Sequence, residues 1–392
     1  MRILSIHSRY QIRGGEDEVC DAEKQLLEQQ GHTVELYEDF NQRVAELGTV
    51  KSAIKTLWSQ EAYQQLRNQL NQGQFDLIHV HNFFPLISPS VYYAARSLGI
   101  PVVQTLHNYR LLCPSALMFR NQTVCEDCLG KAVPWPGVKY GCYRDSRTAS
   151  AAVTAMLTLH NQLKTWTQLV DRYIALTEFA RQKFIEGGLP ADKISVKPNF
   201  VDFDPGVGSG TGGYGLFVGR LSPEKGLETL LEAWEKLQIP CPLKIVGDGP
   251  LLPLVQQAAQ RSPKIEYLGR KPLPEVYDLL GEAIFLVVPS LWYETFGRVV
   301  VEAYAKGTPV LVSNLGAIAE LVIPEQTGFH FQAGDSSSLA ATVDRLLSQP
   351  QQLQHMRQQA RQQFEQNYTA EKNYQQLMEI YQSVCARGTV YK

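Results

Sequence analysis

The chain has 392 residues, 44% of them apolar, more than one hydrophobic core of ordinary size needs, so two domains are expected. Thirty-seven Lys and Arg stand against 39 Asp and Glu, a formal net charge of -2 with no long basic run, which argues against a dedicated nucleic-acid binder because neutralising many phosphates takes a cluster of cations. Seven cysteines in so long a chain exclude a disulfide-stapled small domain.

Met1-Arg2-Ile3-Leu4-Ser5-Ile6-His7 reads as a first strand, its apolar part being too short for a signal peptide and lacking a cleavage region. Further strands are expected at Val34–Tyr37, Leu77–His81, Val102–Leu106, Tyr173–Leu176 and Ile194–Val196, with amphipathic stretches between them, the alternation of βαβ units in a parallel sheet. Pro205 to Gly215 is too glycine-rich to hold as helix or strand and reads as a flexible connection near a domain boundary. A second series follows: Leu216–Val218, Leu243–Val246, Ile265–Leu268, Ile284–Val288, Pro309–Val312 and Gly328–Phe331. The tail, Ser337–Leu347 and then Gln351–Val384, is helical by the spacing of Leu353, Met356, Phe364, Tyr374, Leu377, Ile380, Tyr381 and Val384. No apolar run approaches the roughly eighteen residues of a spanning helix. A cytoplasmic protein is expected, with peripheral contact at the inner face of the membrane left open by a charge average that can hide a basic face. Gly206-Val207-Gly208-Ser209-Gly210 mimics part of a dinucleotide fingerprint, but it precedes its strand instead of following it, so a nicotinamide cofactor is not indicated.

Ligands of open α/β sheets bind beyond the carboxyl ends of strands, and several strand ends carry polar residues. After the first strand, Gly14-Gly15-Glu16 opens a helix, where paired glycines admit a ligand to the backbone; a plain turn with acidic residues suited to the helix dipole explains it equally. His79 and His81 share one face of their strand, and with no third ligand in sight a packing role is preferred to a metal pair. The next strand ends at His107-Asn108, placing an imidazole able to donate near neutral pH at the ligand edge. In the second series Gly219-Arg220 and, five residues on, Lys225 flank a tight turn at a helix start, a fork and a point charge suited to a diphosphate. Gly247-Asp248-Gly249-Pro250 is a strand end followed by a turn. The strongest element is Glu294-Thr295-Phe296-Gly297 and, one turn into the following helix, Glu302: two carboxylates that can accept from vicinal hydroxyls of a sugar or ribose, with backbone N–H groups between them.

Taken together, Glu294-x7-Glu302 with Phe296-Gly297, Gly219-Arg220-x4-Lys225-Gly226 and Gly247-Asp248-Gly249-Pro250 resemble the donor half of retaining family 4 glycosyltransferases. Lys197-Pro198-Asn199-Phe200-Val201-Asp202 is similar to that family's Pro-Asn-Gly-Val-Asp with Phe200 in place of Gly, and Gly316-Ala317-Ile318-Ala319-Glu320 also agrees. The resemblance implies an α/β glycosyltransferase-B fold: two doubly wound Rossmann-like domains facing across a cleft, residues 1–200 on the acceptor side and 201–368 on the donor side, with a C-terminal helix, 369–392, crossing back. It implies that Arg220 and Lys225 hold the donor diphosphate, Glu302 the nucleotide ribose, and Glu294 with Thr295, Phe296 and Gly297 the donor sugar. Gly14 and Gly15 would approach the donor from the other domain. Gly15, Glu16, His107 and Asn108 would serve the acceptor side, His107 near the reaction centre. The expected reaction takes a UDP- or GDP-type sugar to a saccharide or glycolipid in cell-surface or exopolysaccharide synthesis, with retention and no catalytic cofactor. A catalytically silent glycan-binding scaffold and a nucleotide-sugar epimerase are the alternatives.

Cys113, Cys125, Cys128 and Cys142 fall within one thirty-residue stretch of a Pro- and Gly-rich excursion at about 110–147. A central Cys-x-x-Cys with two flanking thiols fits a structural zinc site that would order so long a loop, with disulfides and free thiols as rivals.

Overall fold

The structure, a computed structural model, describes residues 1–388 and divides into two compact units. The first comprises Met1–Met118, Cys125–Asp202 and the C-terminal segment from Asn373; the second comprises Phe119–Val124 and Phe203–Lys372. Fourteen strands are numbered here in chain order. β1 (Arg2–Arg9), β2 (Thr33–Phe40), β3 (Leu77–Asn82), β4 (Val102–Thr105), β7 (Arg172–Ala175) and β8 (Ile194–Val196) form the first sheet, and the Cys-rich excursion carries a two-stranded ribbon of β5 (Phe119–Arg120) and β6 (Thr123–Val124). β9 (Gly215–Val218), β10 (Leu243–Val246), β11 (Ile265–Gly269), β12 (Phe285–Val288), β13 (Val310–Ser313) and β14 (Gly328–Phe331) form the second sheet.

Both six-stranded sheets are wholly parallel, in the orders β2-β1-β3-β4-β7-β8 and β11-β10-β9-β12-β13-β14. The second is the doubly wound order of a Rossmann fold, its direction of growth reversing at β9 and β12, and the first reverses at β1 and β3. Parallel strands need helical crossovers that cover both faces, so their sequences read as unbroken apolar runs: all four residues of β12, Phe285-Leu286-Val287-Val288, are buried. Every strand of the two parallel sheets lies within a residue or a few of its expected bounds, since the apolar run itself is what the sheet buries.

The helix Ala370–Gly388 lays Leu377, Ile380, Tyr381 and Val384 against Ile3, Leu27, Val34, Leu77, Val103 and Ile174 of the first sheet and its flanking helix. A fully buried aliphatic side chain contributes about 1.5–3 kcal/mol, so this stripe fixes the helix to the first unit.

Three expectations need revision. The helical tail is not continuous: it is broken between the helices Pro350–Asn367 and Ala370–Gly388, where Tyr368 is buried and the Thr369 hydroxyl accepts from Lys372 N as a new N-cap. Apolar spacing persists through the break because each helix buries its own stripe, which hides the interruption from a periodicity count. The glycine-rich stretch after Pro205 is irregular but fastened. Gly208 N donates to Lys306 O at 2.9 Å, Gly210 N to Gly281 O at 2.8 Å and Gly212 N to Glu282 O at 2.9 Å, while Arg357 donates to Gly208 O at 2.9 Å. A Cβ on Gly208 would stand 2.1 Å from Gly281 Cα, so here glycine serves close backbone approach and not mobility. The third revision concerns the excursion, which is partly regular, holding the ribbon and the short helix Trp135–Lys139. Among the described residues no helix is long and apolar enough to cross a membrane.

Candidate active site

In the second unit the carboxyl ends of β9, β10 and β12 bring three loops together. Gly219 N donates to Val246 O and Leu221 N to Asp248 O, at 3.0 and 2.9 Å, joining the loop of Arg220 to that of Gly247-Asp248-Gly249. Leu291 N donates to Glu224 O at 2.8 Å and joins the same turn to the loop after β12. Gly226 closes the turn in the left-handed region, φ +69°, where a Cβ would lie 1.9 Å from Pro289 O; any side chain there would push the loops apart. The helix Leu227–Lys236 starts on it.

These joints place Lys225 Nζ 2.8 Å from Glu294 Oε1, and the Ser290 hydroxyl donates to the same oxygen at 2.5 Å. Glu294 is buried; burial pushes its carboxyl up, but the Lys225 ammonium and the Ser290 hydroxyl outweigh burial and hold it below the usual range. Arg220 is exposed, and among the described residues its guanidinium makes no ion pair. Gly297 sits in the left-handed region at the start of the helix Arg298–Ala305. One turn in, the buried Glu302 pairs with Arg298, Nε to Oε1 2.9 Å, so both carboxylates are already engaged by cations. Thr295 and Phe296 complete the loop, Phe296 buried beneath it. Ser290 and Arg298 carried no expectation; their spacing to the two glutamates, four residues each, was the available signal.

In the first unit the turn after β1 is closed by Asp17, whose Oδ2 accepts from Gly14 N at 2.9 Å and whose Oδ1 lies 2.8 Å from His7 Nε2. Gly15 is exposed beside it. Two of the residues expected on the acceptor side do meet: Glu16 Oε2 accepts from Asn108 Nδ2 at 3.3 Å and from the Tyr10 hydroxyl at 2.8 Å. Burial raises the Glu16 carboxyl despite these donors and His7. His107 Nε2 lies 3.0 Å from His81 Nδ1, the rings stacked with centroids 5.3 Å apart. Burial drives His107 down to about 3 and His81 well below the ordinary imidazole value, so both rings are neutral near pH 7 and one donates to the other.

Behind this pair lies a group that the sequence reading did not assemble. Glu23 Oε1 is 3.0 Å from His79 Nδ1 and 3.5 Å from His81 Nε2, while its Oε2 accepts from Lys197 Nζ at 3.1 Å. Lys197, itself buried, also donates to Asn373 Oδ1 at 3.2 Å, and His79 further meets the Tyr381 hydroxyl at 2.7 Å and Thr105 Oγ1 at 2.8 Å. The third ligand thought missing beside His79 and His81 is therefore present: the ligand atoms of Glu23, His79 and His81 lie within 4.8 Å of one another. Lys197 already supplies the positive charge there, however, and both nitrogens of His79 are engaged, which makes this a paired polar network. Burial pushes the Glu23 carboxyl up, and Lys197 and His79 more than reverse it. Its signal in the sequence was a carboxylate within the apolar stripe Val19, Cys20, Glu23, Leu26, Leu27 of a helix, which demands a buried partner.

The four cysteines of the excursion share one neighbourhood, since each of the other three thiols acts electrostatically on Cys128. Cys113 and Cys128 are buried, Cys125 and Cys142 partly so, and none of the four is joined in a disulfide. Among the described residues the group whose ligand atoms lie within 4.8 Å of one another is Glu23, His79 and His81, so the thiols would have to draw in to bind an ion. Burial and the neighbouring thiols push Cys128 up to about 12.

Two Rossmann-type units, the second carrying a cationic turn whose Lys225 is latched to the buried Glu294, have the glycosyltransferase-B architecture. The chain belongs to the family 4 glycosyltransferases: the model "Glycosyltransferase Family 4" matches residues 14–205, and "Glycosyl transferases group 1" matches 209–363. An uncharacterized glycosyltransferase of Methanocaldococcus jannaschii is 33% identical over 137 residues, 34% of this chain and 38% of the relative, so the match spans well under two thirds of that protein. Phosphatidyl-myo-inositol mannosyltransferase of Mycobacterium leprae is 25% identical over 76% of this chain and 70% of its own. Among solved structures, that of Anabaena HepE in complex with UDP superposes with a TM-score of 0.69 at 21% identity, covering 98% of this chain and all of the other, a likeness of fold.

Proposed function

We propose that this protein is a retaining hexosyltransferase that moves a sugar from a nucleotide diphosphate sugar to a saccharide or glycolipid, in cell-surface or exopolysaccharide synthesis at the cytoplasmic face of the membrane. The observation that carries the reading is Lys225 held 2.8 Å from Glu294, next to the exposed Arg220, on loops latched by backbone hydrogen bonds. Arg220 and Lys225 would bind the diphosphate and stabilise the charge that grows on it as the glycosidic bond breaks. Glu294 with Thr295, Phe296 and Gly297 would hold the sugar, Glu302 the ribose, and Gly219, Gly247, Asp248 and Gly249 would line the donor site. A nucleotide donor is supported by the bound UDP of the Anabaena structure. His107, Asn108, Gly14, Gly15 and Glu16 would serve the sugar and acceptor from the first unit.

No carboxylate is assigned as a nucleophile, and the step is a front-face displacement without a catalytic metal. The acceptor oxygen bonds to the anomeric carbon on the face from which the diphosphate departs, and the acceptor's proton passes to the leaving phosphate oxygen. The thiols of Cys113, Cys125, Cys128 and Cys142 would hold a structural zinc ion that fixes the excursion.

Incubation with a panel of UDP- and GDP-sugars, with and without acceptors, tests the reading. Acceptor-dependent nucleotide release supports transfer. An altered sugar nucleotide formed without acceptor indicates an epimerase, and no turnover of any donor leaves the scaffold.

A further inference from the structure

A cavity of about 190 Å³ opens in the first unit at the carboxyl ends of β1 to β4, beside the point where the strand order reverses. It is smaller than the roughly 300–1,000 Å³ that houses a drug-sized ligand, so it suits one sugar-sized group. Tyr10 follows β1, Asn41 follows β2, Asn82 ends β3, and Asn108 and Arg110 follow β4. Phe84-Pro85, shortly after β3, and Tyr143-Arg144, directly after Cys142, complete the wall.

The cavity wall includes positive charge without a matching negative one. Arg110 is half-buried, and its guanidinium stands 4.2 Å from the Phe84 ring centroid and 5.0 Å from that of Tyr143. One of its N–H groups donates to Pro114 O, and among the described residues no carboxylate lies within ion-pair distance. Arg144, its guanidinium 5.4 Å from the Tyr143 ring centroid, is likewise without an ion pair. Arg9 has Asp21 and Glu38, Arg298 has Glu302, and Arg361 has Asp204 and Glu365, whereas the half-buried Arg357 has no carboxylate but donates to the carbonyls of Gly208, Gly281 and Ala283. Glu16 acts on Arg110 electrostatically but does not line the cavity, and its carboxylate is taken up by Tyr10 and Asn108. Removing a guanidinium from water without a counter-ion is costly, and the two aromatic rings offset only part of that cost. An oxyanion placed here would meet N–H donors of two guanidinium groups that no carboxylate occupies.

We propose that this cavity binds an oxyanion, phosphate or carboxylate, carried by the acceptor, so that the acceptor is an anionic saccharide. The inference rests on the glycosyltransferase reading above for the word acceptor, but the binding itself does not. The excursion supplies both cations, Arg110 three residues before Cys113 and Arg144 two after Cys142, so whatever orders the cysteines also sets the spacing of the two guanidinium groups.

The test is calorimetric titration in the presence of excess UDP, which occupies the donor diphosphate clamp, with glucose, glucuronate, glucose 1-phosphate and farnesyl phosphate as probes. Glucuronate or glucose 1-phosphate should bind at least about tenfold more tightly than glucose, and Arg110→Gln and Arg144→Gln should each weaken that binding about ten- to a hundredfold, the range for a charge-assisted hydrogen bond. Preference for glucose 1-phosphate over glucuronate names phosphate, and binding of farnesyl phosphate as well names a lipid-linked one. Arg144→Gln, at an exposed position, keeps the test valid if Arg110→Gln does not fold. Equal binding of glucose and the anions, or no loss in a folded variant, overturns the proposal. Anion binding that persists while no donor turns over with any acceptor would instead overturn the transferase reading alone.

Discussion

Lys225 and Glu294, sixty-nine residues apart, meet at 2.8 Å because the turn before the helix Leu227–Lys236 and the loop after β12 are hydrogen-bonded through Leu291 N and Glu224 O. The two side chains are 21% and 10% exposed, so residual water screens part of their attraction. Lys225→Met should destabilise the second unit by about 1–3 kcal/mol, discounted from the fully buried case, by leaving Glu294 without its cation. Lys225→Met with Glu294→Gln should recover part of that loss in urea unfolding while donor turnover stays low. If the double variant is as destabilised as the sum of the singles, the pair is not coupled.

Arg220 is exposed and unpaired by carboxylates, so its removal should cost the fold little. With a donor that turns over, Arg220→Ala should lower kcat by about 10²–10³-fold at an unchanged melting temperature. Near-normal turnover would remove Arg220 from the site.

Gly226→Ala puts a Cβ against Pro289 O in a backbone conformation that alanine disfavours. We expect a loss of more than about 1 kcal/mol, seen as a lowered melting temperature, together with weaker UDP binding because the turn carrying Lys225 is displaced. A variant that melts and binds as the parent does would show that the loops accommodate the methyl group.

The stacked imidazoles give a pH dependence whose sign follows from their depressed values. His107 at about 3, and His81 also lowered, stay neutral in the fold while the same groups in the unfolded chain take up protons near pH 6.5. Between those limits the unfolded state binds more protons, so stability falls as pH drops below about 6.5 toward 3. Glu23, depressed in the fold, adds stability that is present above its unfolded value near 4.3 and is lost as pH falls through its lower folded value. His107→Gln should therefore lose less melting temperature than the parent between pH 7.5 and 5. Parallel losses would mean that His107 is not held neutral.

For the cysteines, metal analysis of pure protein should find about one zinc per chain, and Cys125→Ser should release it and lower the melting temperature. A thiol pushed up to about 12, as Cys128 is, stays protonated until a cation draws it down. Protein without zinc whose stability Cys125→Ser leaves unchanged would end the zinc reading.

Much of this was legible from local pattern. An apolar run between helices can be buried on both faces only in a parallel sheet, which is why all twelve sheet strands could be located from the residues alone. The spacing Glu294-x7-Glu302 and the Arg220–Lys225 turn were likewise visible, because each lies on one loop or one helix turn and needs no distant partner to be recognised. The glycine strap shows where composition misleads: entropy argued for a mobile link, and only the carbonyls of Gly281, Glu282 and Lys306 explain why glycine is there.

By itself, then, the sequence determined the two Rossmann-like units and the residue types on the loops after β9, β10 and β12, since period and adjacency along the chain encode both. Tertiary structure alone decided the pairings across long separations: Glu23 with Lys197, His81 with His107, Arg110 with Phe84 and Tyr143, and the strapping of residues 208–212. Those partners lie 26 to 174 residues apart, and a charge whose counter-ion is so distant looks in sequence like any solvated side chain until packing removes the water.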